Sequence, residues 1–353
     1  IIESENNNEN INVQEISTNE NEIISLPDPW EKSNKDDLNF LFENTNLTSS
    51  DILNGILISY LESDSNLPDN ISKDEFNHIK INKLIKLGQS EKAFQLINII
   101  ENENNINFYN LFKLNYFFSK YEILEACDFN NSIERKNTNI DQNFLLKVDI
   151  FCTYINNELE EANFLNSLLI DANDEDSYFQ ELYWKLQNSN KNEIDINSYK
   201  YSFDSMPLYS AMIRVGDIPL DEMFLEHDSS NLAIPIILSQ SSDITLRLKA
   251  AHQAYKNNIF NSESLAALYQ TVDFSYDQLS NSVLKFNNLE MQMSYLFQKA
   301  NIQLLPITRL ETLINFWFYA EENQLNLLAY DISRNLIESI EPSAELHEYG
   351  IEI

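Results

Sequence analysis

Apolar residues recur at helical spacing along most of the chain, and the clearest run is INKLIKLGQSEKAFQLINII over residues 81–100. Ile81, Leu84 and Ile85 share one helix face, and Gly88 breaks the run where a helix end calls for positive φ. Ser90 then opens a second segment, in which Ala93, Phe94, Ile97 and Ile100 rebuild the i, i+3, i+4, i+7 stripe. The pattern predicts a helical hairpin. It recurs over 111–128 and 144–170, with Asn156-Asn157 as the break in the latter. Ala93, Ala126 and Ala162 lie 33 and then 36 residues apart. That period matches helix-turn-helix solenoids, where a small side chain lets paired helices pack closely.

Elsewhere the signals vary. Asp51 to Leu61 is mostly apolar, and Ser72 with Glu75 spells a capping box. Asp174 to Gln187 reads as a helix containing Trp184, residues 188–206 as a polar linker, and 190–205 as a subdomain boundary. Pro207, Pro219 and Pro235 then interrupt short helices, among which Leu232 to Leu238 is also compatible with a brief strand. Hairpins resume over 246–279. A last pair spans about 303–319 and 322–340, where Leu325, Leu328, Ala329, Ile332, Leu336 and Ile340 mark a buried stripe before Pro342. At the other end, residues 1–24 are rich in Asn and Glu without an apolar face, as in a disordered acidic tail. Trp30, after two prolines, is expected to plug the tip of the first helices. The expected fold is all-α: an α-solenoid of stacked helical hairpins, with the tail over 1–24 and helical-repeat domains over 25–190 and 206–342.

Composition supports helices over sheets. Only four glycines occur, where average usage would give about 25. Sheet-rich folds and nucleotide-binding loops need glycine for close backbone approach, so Asn, Asp and Ser must make the turns. The net charge of −33 repels phosphate backbones and anionic membrane surfaces, which argues against nucleic acid as a partner. It suits either a basic partner or simple solubility. No run of 18 apolar residues predicts a transmembrane segment. The start at Ile1, without a visible signal peptide, is what a processed mature protein or a trimmed chain would show.

The candidate chemistry is sparse. Cys127 falls in the second helix of one hairpin and Cys152 in the first helix of the next, so neighbouring helices would bring the sulfurs within disulfide reach. In an exported protein the pair would form a disulfide; in a cytoplasmic one both would be buried, reduced side chains. Glu75 and His78 supply half of a di-iron motif whose second half does not occur. The run from Asp171 to Asp176 resembles a calcium loop but carries Asp176 where glycine is needed and Leu182 where glutamate is needed. Phosphate-binding glycine loops, the nucleophile-elbow motif and the zinc-protease helix motif are all missing, so no catalytic, cofactor or metal residues are expected. Among the aromatics, Tyr116, Phe117, Phe118, Trp184 and Trp317 are candidates for a partner groove if they are exposed on a concave face.

The strings LGQSEKAFQLI (87–97), ILEACDF (123–129), FCTYINNELEEANFL (151–165) and LKAAHQAYKNNIFNSESLAALYQTVDFSYDQL (248–279) resemble a family of exported alphaproteobacterial helical-repeat proteins of unknown function. That family is sometimes labelled antifreeze-related, although this chain lacks the regular Thr or Ala arrays of ice-binding surfaces. The hairpins also loosely resemble tetratricopeptide repeats, without that consensus's aromatic and proline positions, and the helical scaffold of soluble lytic transglycosylases. The family resemblance implies a periplasmic or exported protein and strengthens the disulfide, with a cytoplasmic location as the alternative. The expected function is a non-enzymatic scaffold binding a protein or peptide, with a basic partner the one its charge suits. The alternatives are a structural subunit of a larger assembly or a helical domain associated with cell-wall glycan cleavage.

Overall fold

The computed structural model describes residues 30, 33–47, 50–63, 66–100, 104–228, 230–281 and 284–341; the tail expected over 1–24 lies outside them. Among the described residues every regular element is a helix and none is a strand. None of these helices is long and apolar enough to cross a membrane. The chain divides into one unit over Leu26–Asn257 and a second from Asn258 onward.

In the first unit, α1 (Lys35–Asn44) and α2 (Asp51–Glu62) precede three hairpins. These are α3 (Lys73–Lys86) with α4 (Ser90–Ile99), α5 (Ile106–Lys120) with α6 (Ile123–Ser132), and α7 (Gln142–Ile155) with α8 (Leu159–Asp171). Each hairpin packs on the next through α4 against α5 and α6 against α7. α9 (Ser177–Asn188) follows, then α10 (Met206–Val215), α11 (Met223–His227), α12 (Ala233–Leu238) and α13 (Ile244–Lys256). The Ser72 hydroxyl caps α3 by accepting the Glu75 N–H at 3.2 Å. Trp30 is 5 % exposed and packs edge-on against Phe42 at 5.4 Å and Phe76 at 6.1 Å, closing the first helices.

The hairpins share one turn. In α3–α4, Gly88 takes φ +76, its N–H returns to the Ile85 carbonyl, and Gln89 N–H returns to Leu84. The same two bonds close α5–α6 at Tyr121 (φ 63) and α7–α8 at Asn157 (φ 64). This is the Schellman helix end, which satisfies carbonyls the helix itself leaves open. Five positions beyond each left-handed residue stand Ala93, Ala126 and Ala162, all fully buried. Each alanine N–H closes the first turn of its helix, so the turn fixes where the small side chain meets the partner helix. The 33- and 36-residue spacing of the alanines is therefore the spacing of three like turns.

The repeat does not simply continue. α10 packs on α5 and α9, and α12 packs on α5, so the later helices return across the middle hairpin. Gly88 shows how close this return is: a Cβ there would meet Ser230 Cβ at 2.7 Å. Residues 188–206, expected as a linker, lie inside this unit and contain two 3₁₀ turns, Ile196–Ser198 and Phe203–Ser205. Ile194 and Ile196 are buried and anchor the segment to the core. The stretch considered as a strand forms α12 instead. Ile236 N–H reaches the Leu232 carbonyl, and Pro235 stands in the first turn, where its missing N–H has no helical partner to lose.

His252 on α13 is 4 % exposed, and burial lowers its pKa to about 3, aided by Lys256. The unfolded chain takes up this proton below its ordinary 6.5, whereas the folded chain resists until about 3. Stability linked to His252 is therefore fully present above pH 6.5 and lost as pH falls through this window. Urea unfolding is expected to show a loss of about 2 kcal/mol between pH 7 and 5, which His252→Gln removes from the pH profile.

The second unit holds α14 (Ser262–Gln270), α15 (Tyr276–Asn281), α16 (Leu289–Ile302), α17 (Pro306–Glu322) and α18 (Asn326–Glu338). α16 is central, touching the other four. The α17–α18 turn repeats the motif: Gln324 takes φ 58, Leu325 N–H returns to Ala320, and Ala329 five positions on is fully buried. Leu325, Leu328 and Ile332 complete the buried stripe, while Leu336 and Ile340 are half-buried.

Candidate functional site

Three elements of the first unit converge on a cavity of about 650 Å³. α7 supplies Asp141, Asn143 and Lys147, the α8–α9 turn supplies Asn173 to Asp176, and the segment 199–203 supplies Tyr199, Lys200, Tyr201, Ser202 and Phe203.

Lys147 is the unusual residue. It sits among Phe144, Leu145, Val148 and Phe151 on the buried face of α7, and its side chain is 4 % exposed. A buried ammonium needs a counter-charge, and the α8–α9 turn provides two. Lys147 Nζ lies 3.0 Å from Asp174 Oδ2 and 2.5 Å from Asp176 Oδ2. The turn is shaped for this by its own bonds. Asn173 adopts φ 58 to end α8, Asp174 Oδ1 accepts the Asp176 N–H at 2.8 Å, and Asp176 Oδ1 caps α9 through Phe179 N–H at 3.0 Å. The Tyr209 hydroxyl donates a further hydrogen bond to Asp176. Burial and the nearby Asp176 drive the Tyr209 pKa far up, and burial with Asp221 does the same for Tyr178. Both phenols stay neutral, so Tyr209 remains a donor.

The third wall is anchored by main-chain bonds. Tyr178 N–H donates to the Lys200 carbonyl at 3.0 Å, Lys200 N–H to Ser177 Oγ at 3.0 Å, and Ser202 N–H to the Tyr209 hydroxyl oxygen at 3.1 Å. This holds the aromatic side chains in place. Tyr201 meets His227 Nε2 at 3.0 Å, and Phe203 stands edge-on to the same imidazole at 4.5 Å. Phe203 nevertheless remains 61 % exposed. The lining carries four carboxylates (Asp141, Asp174, Glu175, Asp176) against two ammoniums (Lys147, Lys200), and the outer pair Lys200–Glu175 closes at 2.8 Å.

The residues singled out in the sequence are distributed differently. Cys127 and Cys152 are joined as a disulfide between α6 and α7, with Cα atoms 5.6 Å apart. Phe118 is fully buried against Phe151, and Tyr116 is 6 % exposed and stacked on Phe94 at 4.2 Å. They are interior residues and not the lining of a groove, because α5 is covered by α4, α6, α10 and α12. Phe117 is half-buried against Phe94 and Phe129, and Trp184 is 49 % exposed. Trp317 belongs to the second unit, where its Nε1 donates to Ser333 Oγ at 3.0 Å. Within the first unit, the burial of Tyr116 and Phe118 keeps those two out of any exposed groove with Phe117 and Trp184.

His78 packs edge-on against Phe108 at 5.0 Å, and Glu75 pairs with Lys35. Of the calcium-like run, three carboxylates line the cavity: Asp174 and Asp176 pair with Lys147, and Glu175 pairs with Lys200. Among the described residues no group of three or more His, Cys, Asp or Glu is placed to hold a metal. Burial raises the pKa of Asp149 and Glu122, but neither lines the cavity; Asp149 binds Asn130 and Arg135, both at 2.6 Å. Sequence reasoning missed Lys147, Tyr199, Tyr201, Phe203 and Tyr209. A lysine inside the apolar stretch FLLKVDIF was the available signal, since a charge there demands a partner. No family model, curated protein or solved structure matches the chain.

Proposed function

We propose that this chain is a non-enzymatic helical-hairpin scaffold that docks a basic polypeptide, in an oxidising compartment such as the bacterial envelope. The observation that carries the reading is the cavity of the first unit, where carboxylates outnumber ammoniums and Phe203 stands exposed at the edge. Polypeptide sites commonly combine such an aromatic anchor with complementary charge. The net charge of −33 adds a long-range field that would draw a basic partner and repel nucleic acid. The recurring Schellman turns and buried alanines support a repeat scaffold, the finer solenoid arrangement being part of this proposal. The Cys127–Cys152 disulfide supports the oxidising compartment.

Fluorescence anisotropy with a labelled lysine- and arginine-rich peptide tests the reading against an acidic peptide of equal length. The basic peptide is expected to bind, and to weaken at least about tenfold when salt rises from about 0.05 to 0.5 M. The acidic peptide is expected not to bind. Equal behaviour of the two peptides would sink the proposal.

A further inference from the structure

We infer that the cavity between α7, the α8–α9 turn and the 199–203 segment seats a single arginine side chain of that basic polypeptide. This inference rests on the proposed function and specifies its recognition site.

The floor is the first argument. Lys147, Asp174 and Asp176 form a buried cluster of one cation and two anions, so one negative charge is left over in a water-poor place. Each carboxylate can accept about four hydrogen bonds. Asp174 accepts one from Asp176 N–H and one from Lys147, so acceptor capacity remains beside the cavity. Asp141 contributes a further carboxylate, of which one oxygen caps α7 through Asn143 N–H at 3.1 Å. An incoming cation would meet an excess of negative charge and open lone pairs.

The wall is the second argument, and it favours a guanidinium over a compact ammonium. Tyr201 and Phe203 line the cavity, and a planar guanidinium stacks on aromatic rings while forking its N–H groups toward carboxylates. The apolar stem of the same side chain would cover Phe203, which otherwise stands exposed to water. Main-chain bonds from Tyr178, Lys200 and Ser202 hold this wall in place, so binding requires little ordering of the protein. The volume of about 650 Å³ exceeds what one side chain fills, which leaves room for the peptide backbone on either side.

The test uses the full chain in isothermal titration with a glycine–serine peptide carrying one central arginine, and with its citrulline counterpart. Citrulline keeps the shape and removes the charge. The arginine peptide is expected to bind about tenfold more tightly than the citrulline peptide. Phe203→Ala is expected to weaken the arginine peptide about threefold to fivefold. Asp141→Asn with Glu175→Gln, which keeps the α7 cap and the Lys147 cluster, is expected to cost about tenfold. Glu160→Gln with Glu161→Gln removes the same charge outside the cavity and is expected to change affinity less than about twofold. Equal binding of the arginine and citrulline peptides overturns the inference. So do equal losses from the two charge-removing pairs; if the lysine- and arginine-rich peptide still binds, only the site has failed and the proposed function stands. Free arginine amide binding as tightly as the peptide also overturns it, because the cavity would then serve a small cation.

Discussion

Replacing Lys147 with methionine is expected to destabilise the first unit by about 3–5 kcal/mol, the largest effect of any single substitution considered in this chain. Methionine matches the lysine stem in length, so the apolar packing with Phe144 and Val148 on α7 is largely kept. What is lost is the only ammonium among the described residues within salt-bridge reach of the buried Asp174 and Asp176 carboxylates. The cost comes chiefly from the stranded anions, and little of it from the attraction itself, because forming a buried ion pair also requires dehydrating both partners. The argument fixes a second expectation. Adding Asp174→Asn and Asp176→Asn to Lys147→Met should restore most of the lost stability, since asparagine still caps α9 and carries no charge. Urea unfolding followed by circular dichroism reads both. If the single and triple variants are equally destabilised, the damage lies in packing and the charge account is wrong.

The same cluster shows what could and could not be read from the sequence. The hairpins were legible because a 3.6-residue apolar period and a buried alanine are local signals, as at Ile81 to Ala93. The common turn was legible at Gly88 and at the Asn156-Asn157 break. Tyr121 and Gln324 hold the same left-handed conformation with residues that do not advertise it. The cavity was hidden because its parts are distant: Lys147 and Asp176 are separated by 29 positions, and the aromatic wall lies in a segment whose polar composition resembled a linker. Burial of Ile194 and Ile196, invisible without the tertiary fold, is what turns that segment into a wall. The aromatic run at Tyr116 to Phe118 failed as a groove for the converse reason. A groove needs one open face, and the return of α10 and α12 across α5 closes it.

Removing the disulfide is the second large effect. The bond joins positions 25 apart, and restricting a loop of that size in the unfolded chain is worth about 3 kcal/mol. Cys127→Ala with Cys152→Ala is therefore expected to lower stability by about that amount and to abolish any response of the unfolding midpoint to dithiothreitol. The folded state should survive. α6 and α7 also pack directly on each other and are joined by Asn130 to Asp149 at 2.6 Å, with Arg135 completing the cluster. Both cysteines are only 8 % exposed, so a thiol reagent must wait for the two helices to part. Reduction should accordingly be slow in buffer and accelerate steeply in urea well below the unfolding midpoint. Fast reduction in buffer would mean that α6 and α7 separate readily and that the bond, more than the packing, keeps them together. A wild-type midpoint indifferent to dithiothreitol would mean that the thiols are not joined in solution, removing the support they lend to an oxidising compartment. Alkylation of the protein in its own cells before lysis decides the same question where it matters, because only a bond formed there reports the compartment in which the protein works.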